Sequence, residues 1–234
     1  MENGWWSDWH KHEDFGEIFY WGSGHSVLCT TDQNFICTSL RAIWIPPGVE
    51  HEWYVPQNAI DRAIFVHTSA VADRERFCRL HMVEVSPLLR ELLFSITDAP
   101  VDFSSEKGQR MGKVLLDCFE DAPLASSPLN MPHSHRLVEL CAQAVLEPGS
   151  PVSYKDWSEI LHVSPKTLAR MFLRETGMSM GQWVKLMRLL HAQQKIEKGA
   201  SVTEAALDSG YTSVSAFIHA FKKNFGSTPG NKRG

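Results

Sequence analysis

The sequence predicts an α+β chain: an antiparallel β-barrel with flanking helices, then an all-α module of two helix-turn-helix units. Three observations predict it. Short runs with two-residue alternation fill residues 16–66, broken by turn residues such as Pro46-Pro47-Gly48. Beyond residue 153 the order helix, turn, capped helix occurs twice. Charge divides the same way: residues 153–234 hold 12 Lys+Arg against 6 Asp+Glu, and the rest hold 11 against 21. The net charge of −4 thus hides a basic module joined to an acidic one.

In chain order, strands are predicted over 16–20, 25–30, 34–38, 42–45, 52–55 and 59–66. Residues 1–70 then form the barrel and 71–130 its flanking helices and a linker. Over 76–96, Phe77, Leu80, Val83, Leu88, Leu92 and Leu93 recur at helical spacing, with Pro87 inside. Over 106–121, Met111, Val114, Leu115 and Cys118 do the same. Met111, Leu115 and Phe119 suit a dimer interface or packing on the barrel, and spacing leaves both open. Residues 122–132 are rich in Pro and Ser and read as linker. His133 and His135 read as polar loop rather than as a metal pair. A helix follows over 135–146, and residues 131–234 form the all-α module.

That module builds itself from local signals. Trp157, Ile160 and Leu161 give a first stripe, Ser164-Pro165 caps the next helix, and Leu168, Met171 and Phe172 face inward up to Gly177. A long helix over 179–198 carries Trp183, Val184, Met187, Leu190 and Ile196. Ser201 and Glu204 read as a capping box. Gly210 ends that helix, Ser213 caps the last one, and Phe217, Phe221 and Phe225 recur on one face up to Gly226 and Pro229. Basic charge on such a module is the electrostatic footprint of phosphate binding.

The C-terminal third resembles the AraC/XylS family of transcriptional regulators. The resemblance rests on Ser164-Pro-Lys-Thr-Leu-Ala-Arg-Met-Phe172, Glu175-Thr-Gly-Met-Ser179, Arg188-Leu-Leu-His-Ala192, Ser201-Val-Thr-Glu-Ala-Ala206, Gly210-Tyr211, Phe217, Phe221-Lys222 and Gly226-Ser-Thr-Pro229. His162 stands where the first turn usually has Gly, and Ser158 where the first helix usually has Ala. The resemblance implies that 164–173 and 213–222 enter adjacent major-groove segments about 34 Å apart. Lys166, Thr167, Arg170 and Arg174 on the first helix, and Val214, Ser215, His219, Lys222 and Lys223 on the second, are the candidate DNA contacts. Arg170 fits a bidentate guanine contact, or else a phosphate clamp. His219, where many relatives have Arg, is a weaker reader, Val214 could meet a thymine methyl, and Lys222 and Lys223 fit phosphate.

The N-terminal spacings Gly4-x5-His10-x-His12-x4-Glu17-x6-Gly24 and Pro46-x-Gly48-x2-His51 resemble the two cupin motifs, with Leu40 and Val55 as departures. Strand alternation would point His10 and His12 to one face, with Glu17 and His51 arriving from neighbouring strands. Three imidazoles and a carboxylate suit Zn, Ni, Mn or Fe, and the same groups suit a metal-free pocket for a small organic effector. The tryptophans at 5, 6, 9, 21, 44 and 53 fit barrel packing or an aromatic-walled pocket. The leading strand is expected to be short or missing.

Three readings follow: a regulator whose cupin senses an effector or metal, a cupin enzyme fused to a DNA-binding domain, and a constitutive DNA-binding protein. The tandem module favours the first and third, so the chain is read as a non-enzyme. Its expected partners are double-stranded DNA, an effector, a second copy of itself, and RNA polymerase if it activates. There is no apolar run of membrane-spanning length and no basic-then-apolar leader. Five cysteines without a CxxC pair read as free thiols, which places the chain in the cytoplasm.

Overall fold

A computed structural model describes residues 4–56, 60–99, 101–127 and 129–230. The chain divides into two compact units, Met1–Pro128 and Leu129–Gly234.

The first unit contains nine strands and two α-helices among the described residues. The strands are β1 (Trp5–Trp6), β2 (Phe15–Ser23), β3 (His25–Thr30), β4 (Asn34–Thr38), β5 (Arg41–Ile45), β6 (His51–Val55), β7 (Ile60–His67), β8 (His81–Glu84) and β9 (Leu124–Ala125). The helices are α1 (Pro87–Asp98) and α2 (Glu106–Asp121). The described strands pair as two antiparallel sheets, β1-β6-β3-β4 and β7-β2-β5-β8-β9, rather than as a closed ring. The expected start of the last barrel strand, Ala59, lies outside the described residues.

Alternation explains the layering. On β2, Phe19 and Trp21 join Ile43, Ile45, Leu28, Phe35 and Trp53 in a core built from both sheets. The intervening Ile18 and Tyr20 face the other way, into a core with Leu89 and Leu93 of α1 and Leu115 and Phe119 of α2. The middle of the second sheet, along β2 and β5, is therefore buried on both faces. Gly16 makes this close approach feasible, because a Cβ there would lie 2.1 Å from the Trp44 ring. Trp44 faces the helical layer and donates its indole N–H to the Phe77 carbonyl at 2.8 Å.

Several expectations change here. Residues 76–96 are not one helix: a 3-10 turn (Glu75–Cys78) is followed by β8, and α1 begins at Pro87 behind the Ser86 cap. Proline at the first helical position lacks only an amide that would have no partner anyway. The expected linker contributes β9, which pairs with β8 through Met82↔Ala125 and Val83↔Leu124. Leu115 and Phe119 are buried within the unit, so they offer no dimer surface. The leading strand is short, as expected: β1 has two residues, with Trp5 opposite Val55.

The second unit is all-α: α3 (His135–Leu146), α4 (Tyr154–Ile160), α5 (Pro165–Thr176), α6 (Met180–Glu197), α7 (Val202–Asp208) and α8 (Val214–Phe225). Ser153, Ser164, Ser179, Ser201 and Ser213 cap α4 to α8, each accepting from the amide three residues on. Each such cap is worth about 1 kcal/mol. The reciprocal capping box lies at Ser179 and Gln182, not at Ser201 and Glu204. The start of α3 is held differently: Glu175 accepts from the amides of His133 and Ser134 and from the Ser134 hydroxyl. Ile160 is exposed, and the inward face of α4 is Trp157, Ser158 and Leu161.

Candidate functional site

His10, His12, Glu17 and His51 converge in the first unit, with one ligand atom from each lying within 4.8 Å of the others. Different backbone devices deliver them. His51 opens β6 directly after a turn in which Pro47 and Gly48 occupy the central positions and Gly48 has φ +79°. That is the left-handed value a type II turn requires at its third residue. The Gly48 amide donates to the His12 carbonyl at 2.8 Å, tying the turn to the opposite segment. His10 and His51 exchange both backbone hydrogen bonds at 2.9 Å. His10 and His12 do not lie on a regular strand; His10 forms an isolated bridge with His51. Glu17 lies on β2 in the same facing row as Phe19 and Trp21.

The ring orientations are set by carbonyls. His10 Nδ1 lies 2.8 Å from the Asp8 carbonyl and His51 Nδ1 lies 2.9 Å from that of Val49. An Nδ1–H donated to a carbonyl leaves the Nε2 lone pair as the free donor atom, the usual outer support of a metal-ligating histidine. His12 Nε2 lies 2.5 Å from Glu17 Oε1, and His51 Nε2 lies 3.6 Å from it. Despite these approaches, Glu17 Oε1 and His51 Nε2 are buried without an aligned hydrogen bond. Burial pushes the Glu17 carboxyl up to about 7, with the His10 charge opposing it. Burial pulls His51 down to about 4 against the hydrogen bond to Val49, and also lowers His12. The cluster thus disfavours charge on its own groups, while a bound cation would favour the carboxylate. Three imidazoles and one carboxylate fit a borderline divalent ion. Residues not anticipated from the sequence are Asp8 and Val49, which act through backbone carbonyls, and Phe65, whose ring stands 5.5 Å from that of His12.

In the second unit, α4–α5 and α7–α8 repeat one turn. The Val163 amide donates to the Ser158 carbonyl as that of Tyr211 does to Ala206, both at 3.0 Å. His162 and Gly210 occupy the same place, with φ 54° and φ 78°. Lys166, Arg170 and Arg174 are exposed along α5, and Thr167 is half-buried and bonded to the Ser164 hydroxyl. Ser215, His219, Lys222 and Lys223 are exposed along α8. Val214 is half-buried and packs on the core of Ala205, Phe217 and Phe221, so only part of it faces outward. Leu173, absent from the sequence-based set, is 53% exposed on the Arg170 side of α5.

A helix-turn-helix domain family matches residues 157–234. The transcriptional regulator NimR of Escherichia coli is 35% identical over 210 residues, spanning 88% of this chain and 75% of NimR. The chain belongs to the AraC family of transcriptional regulators. RipA of Corynebacterium glutamicum, another regulator, is 32% identical over 103 residues, covering 44% of this chain and 30% of RipA. A structure of ToxT from Vibrio cholerae with bound unsaturated fatty acid covers 97% of this chain and 90% of its own, at 12% identity and TM-score 0.38. As an AraC-family member the chain is a DNA-binding helix-turn-helix regulator. None of the helices formed by the described residues is long and apolar enough to cross a membrane. All five cysteines are free thiols, three of them buried.

Proposed function

We propose that this AraC-family regulator senses a divalent transition metal through His10, His12, Glu17 and His51, and that metal occupancy controls DNA binding by residues 131–234. The observation that carries the reading is the convergence of four ligand atoms within 4.8 Å. Two buried atoms there, Glu17 Oε1 and His51 Nε2, make no aligned hydrogen bond, although His12 Nε2 lies 2.5 Å from the carboxylate oxygen, so both are available to a ligand. The N-terminal unit serves as a cupin-like sensor. The exposed cations of α5 and α8 hold the DNA, Arg170 reading a base edge and Lys222 and Lys223 gripping phosphate.

The test is elemental analysis and calorimetry on the full chain, followed by DNA-binding titrations with and without zinc or nickel. Wild type is expected to take up one ion per chain. His51→Ala and Glu17→Gln are expected to bind it at least about tenfold more weakly, the low end for loss of a supporting group at such sites. DNA affinity is expected to respond to metal in wild type only. Equal metal content in all three proteins would remove the metal reading, and leave the same polar groups as the lining of an organic effector pocket.

A further inference from the structure

In the chain, the helix pairs α4–α5 and α7–α8 are joined through the long helix α6. Arg188, half-buried near the middle of α6, adds a second tie between them. Its Nε donates to the Pro148 carbonyl at 2.8 Å and its Nη2 to the Ser150 carbonyl at 3.0 Å. Both carbonyls belong to the loop that leads from α3 into α4. The same guanidinium lies against the turn between α7 and α8: a Cβ on Gly210 would stand 3.0 Å from Arg188 Cζ and 3.2 Å from the Gly149 Cα. A Cβ on Gly149 would in turn stand 3.4 Å from the Asp208 carbonyl oxygen. The loop before the first helix-turn-helix, the linking helix and the turn of the second thus meet around one side chain.

The chemistry suits a clamp. A guanidinium is planar, always charged and forked, so two carbonyls fix its plane. Its charge strengthens both bonds. The two turns also differ as a clamp on one of them requires. Gly210 leaves room for the guanidinium and for Gly149, whereas His162, at the matching place of the first turn, carries an exposed side chain.

Resting on the two-helix DNA grip proposed above, we propose that Arg188 is a positioning residue: it sets the separation of α5 and α8 by locking the α3–α4 loop to the α7–α8 turn. Two reading helices on a rigid frame bind cooperatively only where the frame matches the spacing of their DNA segments. A looser frame leaves each contact as strong by itself, weakens the pair at the right spacing, and tolerates wrong spacings better.

The test starts from a duplex selected by the full chain from random DNA, its two contacted segments mapped by footprinting. Affinity is measured for that duplex, for versions with one base pair inserted or removed between the segments, and for versions with one segment scrambled. One base pair shifts the far segment by about 3.4 Å and turns it by about a tenth of a helical turn. Wild type is expected to lose at least about tenfold on either change of spacing, the equivalent of one good base contact. Arg188→Met is expected to bind the selected duplex about tenfold more weakly, to keep wild-type affinity for the half-scrambled duplexes, and to lose less than about threefold on a change of spacing. Arg188→Lys, which keeps the charge but not the fork, takes its place should that variant fail to fold. Lys195→Met, which breaks the ion pair between α6 and Asp208 of α7, is expected to keep the wild-type spacing profile. A wild-type profile in the folded Arg188 variants, or an equal loss on half-scrambled and intact duplexes, overturns the clamp and leaves the two-helix grip intact. A wild type indifferent to spacing overturns the grip itself, and the clamp with it.

Discussion

His162 is the one residue other than glycine at positive φ among the described residues. The matching turn of the second unit has Gly210. A side chain in the left-handed region costs roughly 1–2 kcal/mol, partly offset by the extra freedom glycine has when unfolded. His162→Gly should therefore stabilise the C-terminal unit by about 0.5–1 kcal/mol in denaturant unfolding, and an unchanged or lower midpoint would contradict the strain. Glu17 carries the opposite kind of tension. Its folded value of about 7 lies above the ordinary 4.5, so its contribution to metal-free stability is full below pH 4.5 and lost as pH rises through 7. His51 runs the other way, present above 6.5 and lost as pH falls through 4. In wild type the two trends offset. Glu17→Gln removes only the first, so its metal-free stability relative to wild type should rise by about 2–3 kcal/mol between acid and mildly alkaline pH. A relative stability independent of pH, measured by thermal melts across the range, would refute the buried carboxyl's role.

At the scale of elements, α5 and α8 present similar ladders of exposed side chains but different chemistry. Arg170 on α5 offers a planar fork, whereas His219 on α8 offers a single imidazole. Arg170→Ala is expected to lose about 1–3 kcal/mol of specific binding and to relax the preference at one base position. Lys222→Ala is expected to weaken all sequences alike and to lower the salt slope by about one. Selection from random DNA, with titration at several salt concentrations, separates the two. The residues that make these helices were legible beforehand, because serine caps, glycine stops and apolar spacing all act locally. The bounds of α2 and α3 follow the same signals. The strands β8 and β9 were not legible, since Phe77, Leu80 and Val83 recur at helical spacing and two-residue pairing leaves little pattern. The four residues of the cluster could be named from the resemblance to the cupin motifs, but the tethers could not, because Asp8 and Val49 act through carbonyls that every residue has.

At the scale of the molecule, the chain joins an acidic unit to a basic one, and each has a hydrophobic core of its own. A fragment spanning 129–234 is expected to melt cooperatively and to bind DNA with steep salt dependence, log affinity falling roughly in proportion to the number of phosphates neutralised. Non-cooperative melting would show that the second unit depends on the first. A flat salt response would rule out a grip based on charge. An acidic unit is expected to add no phosphate contacts, so the full chain should show a similar slope.

The pair of hydrogen bonds between His10 and His51 has a consequence for timing. They join backbone to backbone and leave both Nε2 atoms out, so they do not rely on an ion to persist. A site whose scaffold closes without its ion can release that ion without unravelling, unlike small zinc-folded domains whose metal is their core. Under the metal reading proposed above, occupancy would then rise and fall with the supply outside, over and over in the same molecule, as in a gauge and not a rivet.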